Sequence, residues 1–88
     1  MRMDLKIINE KGLHARASAK FVETVEAFDA DATVTKDGIE VGGDSIMGLM
    51  MLAASKGCEI IVETNGKQAD ALGCAIKKLV EEYFGEGK

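Results

Sequence analysis

The sequence predicts an α+β domain of two layers, a sheet with its helices packed on one face. Three observations carry that reading. Segments of alternating polarity are interleaved with segments whose apolar residues recur at helical spacing, in the order β-α-β-β-α-β-α. A hairpin signal, Asp37-Gly38 between β-formers, joins the two strands that follow one another directly. The length of 88 residues allows one modest core, so a single domain over residues 1–88 is expected.

In chain order, residues 3–8 alternate as a strand, with Leu5 and Ile7 facing one way and Asp4 and Lys6 the other. Asn9 to Gly12 is a polar loop. The first helix is expected over 15–28, with Phe21, Val22, Val25 and Phe28 as its apolar stripe and Lys20, Glu23 and Glu26 on its wet side. Residues 32–35 and 39–41 are the hairpin strands. Ser45 or Asp44 can then cap a second helix, over 46–54, by accepting from its free N–H groups. That helix is apolar nearly all round, and so small a domain cannot hide every side of it. Some of its side chains are therefore expected to be exposed as a contact surface, with Met51 or Leu52 turned to the core. Residues 59–64 form the fourth strand, and Asn65-Gly66 turns the chain. The last helix is expected over 68–84, with Ala69, Leu72, Ile76, Leu79, Val80 and Tyr83 as its core stripe and Gly85 as its stop.

Composition removes several function classes. A net charge of -4, with no long Lys/Arg cluster, argues against nucleic acid as a partner. No apolar run approaches the roughly 20 residues that span a bilayer, and the start of the chain carries no signal-peptide pattern. No membrane insertion and a cytoplasmic location are expected. One histidine and two separated cysteines offer neither a metal site nor a disulfide framework, so no metal and no cofactor is expected. Cys58 and Cys74 are read as buried small hydrophobes.

The stretch that carries chemistry is Gly12-Leu13-His14-Ala15-Arg16-Ala17-Ser18-Ala19-Lys20-Phe21. It places the only histidine, with Arg16, at the first turn of a helix, where backbone N–H groups lack intrahelical partners. Those donors and the helix dipole attract an anion, and Arg16 adds a permanent charge with a forked set of donors. Imidazole is largely neutral and nucleophilic around neutral pH. A nucleophilic nitrogen beside an anion cradle points to phosphoryl transfer through a phosphohistidine. Arg16, Ala17 (which keeps its N–H) and Gly12 form the expected phosphate-binding set, Gly12 leaving room for a partner to approach His14.

This stretch, followed by DSIMGLMMLAASKG over 44–57, resembles the HPr family of phosphocarriers of the phosphoenolpyruvate-dependent phosphotransferase system, and most of all its nitrogen-related branch, NPr. The likeness extends through the element order to the closing EEYFGE over 81–86. It implies an open-faced sandwich, a four-stranded antiparallel sheet in the order 1-4-2-3 with three helices on one face. It implies that Nδ1 of His14 accepts a phosphoryl group from enzyme I, charged by phosphoenolpyruvate, and passes it to an enzyme IIA domain. The output would be sugar transport or nitrogen-type regulation, and the carrier a monomer. Ser45 matches the family's regulatory phosphorylation position, served by a serine kinase/phosphorylase, and Ile46, Met47, Met50 and Lys20 fall on the docking surface.

Two departures stand out. Ala17 occupies a position where many members have proline, which shifts the reading toward the nitrogen branch. Asp44 stands beside Ser45, where a carboxylate repels an incoming phosphate, and Ser45 already has sufficient reason to be there as a helix cap. The alternative function is a regulatory binding module whose phosphorylation state, at His14 or Ser45, controls a partner without onward transfer.

Overall fold

The computed structural model describes residues 1–88. Four strands, β1 (Arg2–Lys6), β2 (Asp31–Lys36), β3 (Ile39–Gly42) and β4 (Glu59–Asn65), form one antiparallel sheet in the order β1-β4-β2-β3. Three helices, α1 (Ala15–Glu26), α2 (Ile46–Met51) and α3 (Ala69–Glu81), complete the expected element order.

Register explains why only one sheet face is covered. Met3, Val62, Val34 and Val41 stand in line across the four strands, and the next row is Asp4, Ile61, Thr35 and Glu40. Side chains of successive residues point to opposite faces, so the first row enters the core and the second meets water. Against the apolar face α1 sets Phe21 and Val25, α2 sets Leu49, and α3 sets Leu72, Ile76 and Val80, in one cluster of 18 buried residues.

The boundaries differ from expectation where tertiary contacts take over. β1 ends at Lys6, yet Ile7 stays wholly buried and continues the pairing, its N–H donating to Cys58 O and its carbonyl accepting from Gly57 N–H. α1 stops at Glu26 because the Ala27 and Phe28 amides turn back to Thr24 O and Val25 O, tightening the last turn. α2 is shorter than its apolar run: Leu52 and Ala54 are drawn into the core, and Ala53 adopts φ 51° to let them. Met51, left on the outside, is 72% exposed, so Leu52 and not Met51 is the core residue.

The largest correction is at the end of α3. The helix closes at Glu81, and a 3₁₀ turn at Tyr83–Gly85 follows, with φ of 60° at Tyr83 and 53° at Phe84. Tyr83, expected in the core stripe, is exposed, and Phe84 is fully buried in its place. Left-handed conformation costs roughly 1–2 kcal/mol for each of the two residues. Burying a phenylalanine contributes about 1.5–3 kcal/mol, and the Lys20 Nζ bond to Phe84 O, at 2.7 Å, adds to it. Together these hold the strained turn.

Candidate functional site

His14 is the N-cap of α1, in extended backbone, and its carbonyl accepts the first helical bond from Ser18 N–H at 2.9 Å. Its Nδ1 accepts from the Arg16 amide at 3.3 Å, a long and therefore weak bond. The amides of Ala15 and Ala17 donate to nothing in the chain. A nucleophilic nitrogen thus rests against a helix N-terminus with the amide of exposed Ala15 free beside it, whereas Ala17 is wholly buried. The imidazole is 27% exposed, accessible without projecting into water.

The other ring nitrogen is taken. His14 Nε2 meets the Glu86 carboxylate through Oε2. A carboxylate only accepts, so Nε2 carries the proton and Nδ1 the lone pair. The second carboxylate oxygen accepts from Asn9 Nδ2 at 3.0 Å, and the same Asn9 amide group donates to Gly12 O at 2.9 Å. Asn9 is wholly buried, which fixes the carboxylate in turn. Burial pushes the Glu86 carboxyl up, but the bonds from Asn9 and His14, with the positive charge of Lys11 nearby, outweigh it and hold the group below the ordinary carboxylate value.

Around the corner lies a cavity of about 280 Å³ lined by no hydrophobic residue, in which Lys11, Arg16, Lys20 and Lys88 outnumber Glu10 and Glu86. The Arg16 guanidinium is exposed and pairs with no carboxylate. A small anion would meet a positive field there. On the other side of His14 a shallow hollow formed with Leu13, Met50 and Ala53 runs to α2. No cluster of three His, Cys, Asp or Glu side chains that could hold a metal gathers in the structure. No helix is long and apolar enough to cross a membrane.

His14 and Arg16 therefore share one corner as the sequence suggests, Ala17 lies in the same turn but is wholly buried, and three other expectations change. Gly12 does not face the anion site: it is buried at φ 65°, and its N–H donates to Asn9 O. A Cβ there would strike the Ala54 carbonyl and lie 2.8 Å from Ser55 Cα, so the close approach that demands glycine is internal. Lys20 is committed to Phe84 O and is not a free docking cation. The cysteines are not buried: Cys74 is exposed, and Cys58 is half-buried with its Sγ 3.5 Å from Ser55 Oγ. Hydrogen bonding from Ser55 draws the Cys58 thiol below its usual value. Of the proposed docking residues, Ile46, Met47 and Met50 are exposed, joined by Met51. Ser45, not Asp44, caps α2, its Oγ accepting from Gly48 N–H at 2.9 Å.

Asn9 and Glu86 escaped the sequence reading. An asparagine in a polar loop and a glutamate near the chain end carry no periodicity, and 72 residues separate Glu86 from His14. Only the reversal at Tyr83–Gly85 brings them together.

Fold and site define a class: a small open-faced sandwich that offers one oriented imidazole at a helix N-terminus inside a cationic rim. The family described as "PTS HPr component phosphorylation site" matches residues 1–82. The phosphocarrier protein HPr of Neisseria meningitidis is 48% identical over 88 residues, covering 100% of this chain and 99% of that protein. A crystal structure of HPr from Thermoanaerobacter tengcongensis superposes with a TM-score of 0.93 at 36% identity, covering 98% of this chain and 97% of that one. Another, described as an HPr dimer from the same organism, gives 0.78 at 38% identity over 93% and 94%. The chain belongs to the HPr family and is a phosphocarrier of the phosphotransferase system.

Proposed function

We propose that this carrier takes its phosphoryl group on Nδ1 of His14 from an enzyme I and yields it to an enzyme IIA domain, working as one cytoplasmic monomeric domain over residues 1–88. The observation that carries the assignment is an Nδ1 lone pair engaged only by the long Arg16 amide bond at the start of α1, while Nε2 is occupied by Glu86. The weak bond from the Arg16 amide yields to an incoming phosphorus, after which that amide, the exposed Ala15 amide and the Arg16 side chain face phosphoryl oxygens. Few donors in an open site stabilise the bound group moderately, about 1.5–3 kcal/mol for each bond to charge, which suits a group that must leave again. Phosphoryl transfer depends mainly on positioning and electrostatics, and the partner supplies the rest of the site.

Docking falls to the exposed Ile46, Met47 and Met50 of α2, of which Met50 shares a hollow with His14. Flexible thioethers adapt to different partner surfaces in turn. A kinase at Ser45 would have to take the hydroxyl from the Gly48 amide and work beside the exposed Asp44, so a second phosphorylation forms no part of the proposal. The test is incubation with enzyme I and labelled phosphoenolpyruvate. Acid-labile, base-stable label is expected on the wild type, none on His14→Ala, and its passage to an enzyme IIA domain separates carrier from sensor. An unlabelled wild type, or a labelled His14→Ala, overturns the assignment.

A further inference from the structure

The geometry points to Glu86 as a positioning residue: its carboxylate, seated by Asn9, keeps the proton on His14 Nε2 throughout the transfer cycle, so that Nδ1 always attacks and the ring always departs as neutral imidazole. The inference rests on His14 being the phosphorylated residue, and it concerns a part of the chain beyond the family match, which ends at residue 82.

Three observations carry it. The Glu86 carboxylate is gripped at both oxygens, by His14 Nε2 and by Asn9 Nδ2, and Asn9 is itself fully buried and tied to Gly12 O. The tail that delivers it adopts left-handed conformation at three residues in succession, Tyr83, Phe84 and Gly85, with Phe84 sunk in the core and Lys20 on its carbonyl. Strain of that kind persists where surrounding structure enforces it, and it gathers at functional sites. Finally, Glu86 is the one carboxylate in contact with the ring. Arg16 from α1, Lys11 from the preceding loop, Lys20 and Lys88 line the adjoining cavity with Glu10, and Leu13, Met50 and Ala53 on the α2 side bring no charge.

The cycle balances without a proton leaving the site. In the resting ring Nε2 bears hydrogen and Nδ1 the lone pair. Nδ1 attacks phosphorus, the N–P bond forms, and the donor's bond to phosphorus breaks with its electron pair going to the donor. The ring is now a phosphorylated imidazolium, its positive charge opposed by Glu86. When the acceptor attacks phosphorus, the N–P pair returns to Nδ1 and neutral imidazole is restored. If Nε2 lost its proton in between, the leaving group would be imidazolate, far more basic and slower to depart.

Full-length Glu86→Gln and Glu86→Asp test this in two measurements. Ring ¹⁵N spectra of the unphosphorylated proteins should show a single Nε2–H tautomer in the wild type, a mixture in Glu86→Gln and partial recovery in Glu86→Asp. The phosphohistidine of Glu86→Gln should survive about threefold to tenfold longer at mildly alkaline pH, with unchanged hydrolysis in acid, where both rings are protonated. A merely structural role would lower the melting temperature and leave tautomer and pH profile alone. Wild-type tautomer and profile in Glu86→Gln, with label still taken up, overturn the role of Glu86 alone; a wild type that takes no label overturns the His14 assignment and this inference with it.

Discussion

The corner at His14 and the outer face of α2 lie side by side and are built in opposite ways. At the corner the ring is held by a set of fixed contacts: Asn9 is buried, Gly12 packs on the Ala54 backbone, Lys20 holds Phe84 O, and Phe84 anchors the tail that carries Glu86. On α2 only Leu49 is buried, while Met47 and Met51 are each 72% exposed. The difference separates two duties of a relay. Bond making needs one atom in one direction, and meeting several partners needs a surface that can be repacked.

Phe84→Ala probes that contrast most severely. Truncating a fully buried phenylalanine should lower stability by about 3–5 kcal/mol in denaturant unfolding and release the tail from His14. Gly12→Ala comes next, losing roughly 1–2 kcal/mol from its left-handed backbone alone, with slower phosphorylation by enzyme I as the loop before His14 shifts. Ser45→Ala should lose about 1 kcal/mol in the same unfolding assay, since it deletes the cap of α2 but touches nothing at the corner.

Acid should act on the corner and not on α2, whose residues Ile46–Met51 carry no ionisable side chain. The Glu86 carboxyl sits lower in the folded protein than its ordinary value of 4.5, so its contribution is present above that pH and is lost as pH falls through the folded value. Thermal melts of wild type and Glu86→Gln should therefore differ at neutral pH and converge in that acid window. The smallest effect on stability belongs to Met47→Ser and Met51→Ser, within about 0.5 kcal/mol, while phosphoryl transfer to the partner slows. A large stability loss there would mean that the α2 face is core after all.

Much of this was legible in the chain. Alternation in β1 and β4, the Asp37-Gly38 hairpin and the stripe of α1 were read correctly because short-range periodicity reports which face is buried. The juxtaposition of His14 and Arg16 was legible because both belong to one helix turn. The failures fall where a remote contact overrides local pattern. Tyr83 and Phe84 both fit a helical stripe, and the choice between them depended on a reversal that no local propensity favours. Gly12 was read as room for a partner, when the Ala54 carbonyl in the loop after α2 fills that room.

Sequence alone determined the order of elements, the sided helices and the presence of one nucleophilic imidazole beside free amides, because each of these depends on neighbours a few residues apart. Tertiary structure alone decided which imidazole nitrogen carries the proton. That choice depends on a carboxylate near the far end of the chain, and only the closed fold brings it to the ring.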